Sequence, residues 1–258
     1  RESHCEQPLA FDHRGSHLGD HVGNVEAAAR FLKCRPGQVL DASASLAPFP
    51  APFTARLALF TAPFAPYPDR SCVSLRSLLA SWHGLPSDFF LPGNGAAELF
   101  TWVARDAAQL GGSLLPQPGF SDYRRALRCW DGLHKPYQLL LNWSTAAPSR
   151  LLDPPCAPTI WITNPHNPTG QLWSREALET LLQCYQLVIC DEAFLPLVPD
   201  GEQQSLMPLV ADYPNLVVIR SLTKLYAIAG LRFGYAVAQP DRLQRWASWR
   251  DPWPINSA

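Results

Sequence analysis

The sequence predicts an α/β fold with a mostly parallel central sheet and helices on both of its faces. From Phe89 onward, short β-rich runs alternate with helical stretches, which is the order expected for βαβ units. Hydrophobic residues make up 47% of the 258 residues and charged residues 17%, a balance that suits a globular protein with a substantial core. In sheets of this kind, ligands bind at the carboxyl ends of the strands.

The first 45 residues are predicted to form an N-terminal arm and one helix. Residues 1–20 are polar and show no hydrophobic period, so we expect a loose arm. Asn24 is a favourable N-cap for a helix that runs from Val25 to about Lys33.

The main domain is predicted to span residues 46–240. Its first part, residues 46–70, is rich in proline and is expected to form an extended connection over a surface. A helix from Ser74 to Trp82 follows. The later elements are a helix at 96–109, a strand at 113–115, a helix at 122–129, a strand at 159–163, a helix at 175–184, strands at 186–190, 216–220 and 233–238, and a helix after Asp241.

Composition excludes several classes of function. The formal net charge is -1, so no electrostatic argument favours binding to nucleic acid or to an anionic membrane. No apolar run approaches the roughly 20 residues that span a bilayer, and we expect a cytosolic protein. The cysteines form no Cys-x-x-Cys pair and are expected to be free thiols. His17 and His21 have no third ligand at a suitable spacing, so no metal site is predicted.

A lysine follows one of the predicted buried strands by a single turn. Lys224 lies in Ser221-Leu-Thr-Lys, directly after that strand, where desolvation and nearby cations would lower the pKa of its amine and favour a Schiff base with an aldehyde cofactor. Ser221 and Thr223 could donate to a phosphate, and Arg232 would add a permanent cation. Taken alone, Lys224 would be better interpreted as a surface lysine on a loop, and the cofactor role depends on the motifs that follow.

Two further motifs lie at predicted strand ends. Asp191, at the end of an apolar strand, needs a partner, and a protonated pyridine nitrogen would supply one. A helix cap is the alternative for this residue. In Asn164-Pro-His-Asn-Pro-Thr-Gly, the prolines restrict a turn from which Asn167 could present its amide to a phenolic oxygen.

Glycines open the helix predicted at 96–109. In Pro92-Gly-Asn-Gly-Ala-Ala, backbone N–H groups near Gly95 and Ala96 could approach a phosphate closely, although capping alone would also explain the glycines. Phe120 could stack on a cofactor ring, or could simply pack in the core.

These motifs, in this order, resemble the fold-type I pyridoxal-phosphate enzymes of the class I/II aminotransferase family over roughly residues 21–258. The resemblance implies pyridoxal 5'-phosphate as cofactor, the aspartate aminotransferase-like large domain and a homodimer. It implies Lys224 as the Schiff-base lysine, Asp191 as the partner of the pyridine nitrogen and Asn167 as the partner of the phenolic oxygen. It further implies a stacking role for Phe120, a phosphate site made by Gly95, Ala96, Ser221 and Arg232, and a contact of Tyr67 with the neighbouring subunit's cofactor phosphate.

Within the family, the sequence is most similar to the branch that decarboxylates L-threonine O-3-phosphate in cobalamin biosynthesis. The similarity includes Asp-Glu-Ala-Phe194 and Pro-Trp-Pro-Ile-Asn-Ser-Ala258, and it implies that His21 contacts the substrate phosphate. Phe194 replaces a tyrosine of many aminotransferases. A transaminase acting on histidinol phosphate and an inactive cofactor-binding fragment are the alternatives. The family's C-terminal small domain, which supplies an arginine for the substrate carboxylate, would follow Ala258, and residues 241–258 are expected to lead toward it.

Overall fold

A computed structural model of the protein describes residues 23–63, 65–139 and 157–257. Contacts between residues divide the chain into two units, residues 1–45 and 46–258. No helix among the described residues is both long and apolar enough to cross a membrane.

The first unit contains helix α1 (Val25–Leu32). The side-chain oxygen of Asn24 accepts a hydrogen bond from the backbone N–H of Ala27 at 3.1 Å, which satisfies one of the free donors of the first turn. Lys33 adopts a left-handed conformation, with a φ of 53°, and ends the helix. The predicted helix and its cap are confirmed.

The second unit is built on a seven-stranded sheet with the order β1-β7-β6-β5-β4-β2-β3. Strands β3, β2, β4, β5 and β6 are parallel to one another, whereas β7 pairs antiparallel with both β6 and β1. The strands are β1 (Phe90–Asn94), β2 (Ser113–Gln117), β3 (His134–Gln138), β4 (Thr159–Thr163), β5 (Leu187–Asp191), β6 (Leu216–Ser221) and β7 (Phe233–Val237).

Helices cover both faces of this sheet. Those of the second unit are α2 (Phe53–Thr61), α3 (Val73–His83), α4 (Gly95–Leu110), α5 (Asp122–Arg128), α6 (Arg175–Cys184), α7 (Leu222–Leu225) and α8 (Pro240–Trp249). Successive side chains of a strand point to opposite faces, so Ile160 of β4 joins a core with α3 and α6, while Trp161 joins a second core with α4, α5 and α8. The predicted α/β fold is therefore confirmed.

Two strands, β1 and β3, were not predicted from the sequence, and both lie at edges of the sheet. β1 contains Pro92 and Gly93, which normally break strands. An edge strand tolerates proline because one row of its backbone groups has no partner in the sheet. β3 also contains a proline, Pro136, and most of its side chains are exposed, so it lacks the apolar pattern of the central strands.

The extended connection predicted over residues 46–70 is interrupted by a helix, so that prediction was wrong for its central part. α2 begins after Pro52 and ends before Pro63, which makes it coincide with the only long proline-free interval of the segment. Proline after a helix or before its first turn does not remove an internal hydrogen bond.

A buried ionic network joins the ends of β5 and β6. The guanidinium of Arg220, whose side chain is 2% exposed, contacts the fully buried Glu192 carboxylate at 2.7 Å and binds Glu202 through two hydrogen bonds of 2.7 and 2.8 Å. Glu192 also accepts hydrogen bonds from the Ser205 hydroxyl and the backbone N–H of Leu206. Because every charged group has close partners, the network avoids the cost of an unpaired buried charge.

We expect Arg220→Met to lower the free energy of unfolding by about 3–5 kcal/mol, since it leaves the buried Glu192 carboxylate without its guanidinium. Urea unfolding followed by circular dichroism measures this loss. Arg245→Met, at an exposed position of α8, is the matched control and is expected to change stability by less than about 0.5 kcal/mol. Equal losses in the two variants would contradict the assignment.

Candidate active site

The carboxyl ends of three adjacent parallel strands bring polar residues together. β4 ends at Thr163, β5 at Asp191 and β6 at Ser221, and the register pairs Thr163 directly with Asp191. Parallel strands end at the same edge of a sheet, and this edge is where ligands of open α/β sheets bind. The predicted residues Asp191 and Ser221 therefore lie at this edge of the sheet.

The carboxylate of Asp191 is buried and held on both oxygens. Its Oδ1 accepts a hydrogen bond from the backbone N–H of Ala193 at 2.9 Å, and its Oδ2 accepts one from the hydroxyl of Tyr123 at 2.7 Å. Burial raises the pKa of Asp191 to about 6, and these hydrogen bonds together with the nearby Lys224 oppose that rise. Asp191 is thus a buried anion at neutral pH that has protein donors on both oxygens.

Lys224 lies on the short helix α7, which begins directly after β6. Its side chain is half-buried, and its Nζ lies 5.6 Å from the centre of the Phe194 ring. Burial lowers the pKa of the Lys224 amine; the charge of Asp191 opposes this effect and that of Arg232 adds to it. A lowered pKa increases the neutral fraction of the amine, which is the nucleophilic form. Its backbone carbonyl also accepts a hydrogen bond from the N–H of Ala47 at 3.0 Å.

A cradle forms between the N-terminus of α4 and Arg232. Gly95 has a φ of +73°, and a Cβ atom at that position would lie 2.6 Å from Nη2 of Arg232, so only glycine lets the guanidinium approach this backbone. A Cβ atom at Gly234 would likewise lie 2.7 Å from the backbone nitrogen of Ala96. Gly234 of β7 also pairs with Ser221 of β6 in the sheet. Because Gly234 has no side chain, the start of α4 can pack against β7 close to the end of β6.

The hydroxyls of Ser221 and Thr223 lie 2.7 Å apart, and both side chains are buried. In the described part of the chain, Arg232 makes no ion pair with a carboxylate. The cradle therefore contains hydroxyls, the free N–H groups of a 16-residue helix and a guanidinium, all of which are donors suited to an anion.

Phe120 belongs to the aromatic cluster beside Asp191. Its ring contacts the rings of Tyr123 and Phe100 edge-on, at centroid distances of 5.5 and 6.4 Å. Asn167 lies half-buried in the turn after β4. That turn is closed by two hydrogen bonds between the side chain of Asn164 and the backbone of Trp173, of 3.0 and 2.9 Å. The roles predicted for Phe120 and Asn167 stay predictions.

Two of the predicted residues have no described contact with these groups, for different reasons. His21 lies outside the described residues. Tyr67 is 77% exposed and stacks on Trp253 at 4.4 Å, so its predicted contact with a neighbouring subunit stays a prediction. Among the described residues, no group of three potential ligands could hold a metal ion.

Sequence reasoning missed three residues at the site, namely Tyr123, Thr163 and Gly234. Tyr123 lies three residues after Phe120, and Thr163 is the last residue of β4. A strand-end hydroxyl is the signal that could have indicated Thr163. Gly234 carries no local signal, because its function depends on the approach of α4.

Known proteins resemble this chain over most of its length. The model of the family described as aminotransferase class I and II matches residues 37–258. A threonine-phosphate decarboxylase of Salmonella typhimurium is 33% identical over 251 residues, which cover 92% of this chain and 67% of that protein. A histidinol-phosphate aminotransferase of Symbiobacterium thermophilum is 32% identical over 195 residues, covering 74% of this chain and 53% of that protein.

A solved structure confirms the fold. The histidinol-phosphate aminotransferase of Sinorhizobium meliloti, determined in complex with pyridoxal-5'-phosphate, superposes with a TM-score of 0.76 at 20% identity, covering 97% of this chain and 70% of that one. The present chain thus spans about half to two thirds of the length of the two curated relatives described above. With its fold, its strand-end site and a match over residues 37–258, the chain belongs to the class I and II aminotransferases, a family dependent on pyridoxal phosphate.

Proposed function

We propose that this chain forms the cofactor-binding portion of an enzyme that decarboxylates L-threonine O-3-phosphate to (R)-1-aminopropan-2-ol O-phosphate, with pyridoxal 5'-phosphate as cofactor. The observation that carries the proposal is the half-buried amine of Lys224 within electrostatic reach of the buried Asp191 carboxylate, beside a cradle of anion donors. The 33% identity with the Salmonella typhimurium decarboxylase supports the choice of substrate.

The cradle fits the phosphate of this cofactor. Its donors come from Gly95, Ala96, Ser221, Thr223 and Arg232, and the backbone approach at Gly95 leaves no space for a Cβ atom. A phosphate dianion is stabilised at a helix N-terminus by the exposed N–H groups and the helix dipole, and by a guanidinium through charge-assisted hydrogen bonds. These residues would anchor the cofactor at one end.

Asp191 and Lys224 would act on the pyridine ring and the aldehyde of the cofactor, away from its phosphate. When bound, pyridoxal phosphate supplies an aldehyde that condenses with amines and a protonated ring that accepts electrons from a breaking bond. Asp191, ionised at neutral pH, would hold the proton on the ring nitrogen. Lys224 would carry the cofactor covalently between turnovers, and its freed amine would return a proton to the substrate α-carbon after carbon dioxide leaves.

A transaminase that acts on histidinol phosphate is the second candidate. The 32% identity with the Symbiobacterium thermophilum enzyme favours it, because this value hardly differs from that of the decarboxylase. In this case Lys224 would remove a proton from the substrate α-carbon rather than deliver one. Both substrates carry a phosphate group, so the choice depends on which bond at the α-carbon is oriented to break.

Lys224→Ala is expected to abolish the covalent adduct that borohydride reduction traps between the protein and pyridoxal phosphate. Only three lysines occur in the sequence, so peptide mass mapping locates the adduct without ambiguity. Lys135→Ala, at an exposed position of β3, is the control and is expected to retain the full adduct. An adduct of undiminished yield in Lys224→Ala would eliminate the proposed role of Lys224.

The reaction itself is expected to release carbon dioxide from L-threonine O-3-phosphate without a 2-oxo acid. The measurement uses the full-length protein with pyridoxal phosphate and compares carbon dioxide release with the consumption of 2-oxoglutarate in the presence of histidinol phosphate. Turnover that depends on 2-oxoglutarate would favour the transaminase. Cofactor binding without turnover of either substrate would rule out both activities.

Asp191→Asn is expected to weaken the binding of pyridoxal phosphate and to reduce turnover roughly 100-fold or more, because a neutral amide cannot stabilise a charge on the ring nitrogen.

The pKa of Asp191 is raised to about 6, so its carboxylate is ionised above that pH and becomes protonated below it. In the unsubstituted protein, affinity for the cofactor should therefore fall as the pH drops below about 6, and this fall should be absent in Asp191→Asn. Fluorescence titration with the cofactor between pH 5 and pH 8 measures both effects; identical profiles would contradict the assignment.

A further inference from the structure

Tyr123 of α5 directs its hydroxyl toward the adjacent ends of β4 and β5, where it contacts Asp191. The residue is 1% exposed, and its hydroxyl lies 2.7 Å from Oδ2 of Asp191 and 2.7 Å from Oγ1 of Thr163. Thr163 is equally buried, at 1% exposed. One tyrosine hydroxyl therefore joins two strand ends that the sheet already places side by side.

The chemistry of these groups gives the hydrogen bonds a direction. An ionised carboxylate only accepts, so the single proton of the Tyr123 hydroxyl is donated to Asp191. The oxygen of Tyr123 then accepts from the hydroxyl of Thr163. Burial and the charge of Asp191 raise the pKa of Tyr123 well above its usual value, so this donor keeps its proton. Successive hydrogen bonds of this kind polarise and strengthen one another.

Packing fixes the ring of Tyr123. Its neighbours are Phe100 at a centroid distance of 5.1 Å, Trp161 at 4.9 Å and Phe120 at 5.5 Å. The ring is therefore held independently of its hydroxyl, and replacing tyrosine by phenylalanine removes one hydrogen bond without removing this packing. The contact with Phe120 also connects Tyr123 with the aromatic residue predicted to stack on the cofactor.

Few groups around Asp191 stabilise the ionised form of its carboxylate, and Tyr123 is one of them. Lys224 on α7 favours the ionised form, whereas the neighbouring Glu192 and burial itself oppose it. Cys190, on the same strand, is buried, and its pKa is raised well above the usual value, so it stays neutral. Apart from Lys224, the ionised carboxylate is thus supported by the backbone N–H of Ala193 and the hydroxyl of Tyr123.

We propose that Tyr123, supported by Thr163, is a positioning residue that keeps Asp191 ionised and its carboxylate fixed toward the ring nitrogen of the cofactor. This inference rests on the proposed function, since it assumes that Asp191 serves that nitrogen. Tyr123 acts only through Asp191, because its hydroxyl is already bonded to that carboxylate and to Thr163.

The test compares Tyr123→Phe and Thr163→Val with a matched control, Tyr235→Phe. Tyr235 is also 1% exposed, and its hydroxyl makes a partly buried hydrogen bond of 2.8 Å with Nε2 of His83, away from Asp191. Affinity for pyridoxal phosphate is measured by fluorescence titration between pH 5 and pH 8, and thermal unfolding checks that each variant is folded. Asp191→Asn is titrated in parallel.

Tyr123→Phe is expected to bind pyridoxal phosphate roughly 10- to 100-fold more weakly, since it removes a hydrogen bond to a charged group. The pH below which affinity falls should rise by roughly one unit from its value near 6. Thr163→Val should weaken binding roughly 2- to 10-fold, as expected for a neutral hydrogen bond, and Tyr235→Phe should change affinity less than about 2-fold.

The outcomes separate the inference from the proposed function. If Asp191→Asn binds weakly but Tyr123→Phe matches Tyr235→Phe in both affinity and pH profile, the role of Tyr123 is refuted while Asp191 keeps its own. If the unsubstituted protein does not bind pyridoxal phosphate, or if Asp191→Asn binds it unchanged, the proposed function fails first.

Discussion

The buried pair between Arg220 and Glu192 is the interaction on which the site depends most. Each of these residues is the direct sequence neighbour of a site residue, because Glu192 follows Asp191 and Arg220 precedes Ser221. Their contact of 2.7 Å joins the end of β5 to β6 beneath the site. Neighbouring residues at a strand end point to opposite faces, so the network occupies one face and leaves the other to the site.

Close backbone packing is the second constraint. Gly95 and Gly234 permit contacts that no other residue would allow, and they bring Arg232, the start of α4 and β6 around one small volume. The donors collected there come from segments more than 120 residues apart in sequence, from Gly95 to Ser221. A site of this kind requires the whole sheet to form first, so the free energy that stabilises the two cores also positions the site residues.

The sequence predicted the central part of the fold better than its margins. The strand at Thr159–Thr163 and the helix at Arg175–Cys184 have the predicted bounds, because the residue patterns that specify them are local in sequence. The edge strands β1 and β3 and the helix α2 were missed, since prolines obscure the usual patterns there. Edge positions and helix starts tolerate proline for reasons that become visible only when the neighbours are known.

The sequence by itself determined which chemical groups lie at which strand and helix ends: Lys224 after β6, Asp191 at the end of β5 and glycines at the start of α4. These are local properties of residue type and spacing. Only the tertiary structure decided that Tyr123, which is 68 residues from Asp191 in sequence, donates to its carboxylate, and that Gly234 faces the backbone of Ala96. The physical reason is that such contacts depend on the order and register of strands, which pair segments that carry no sequence signal for one another.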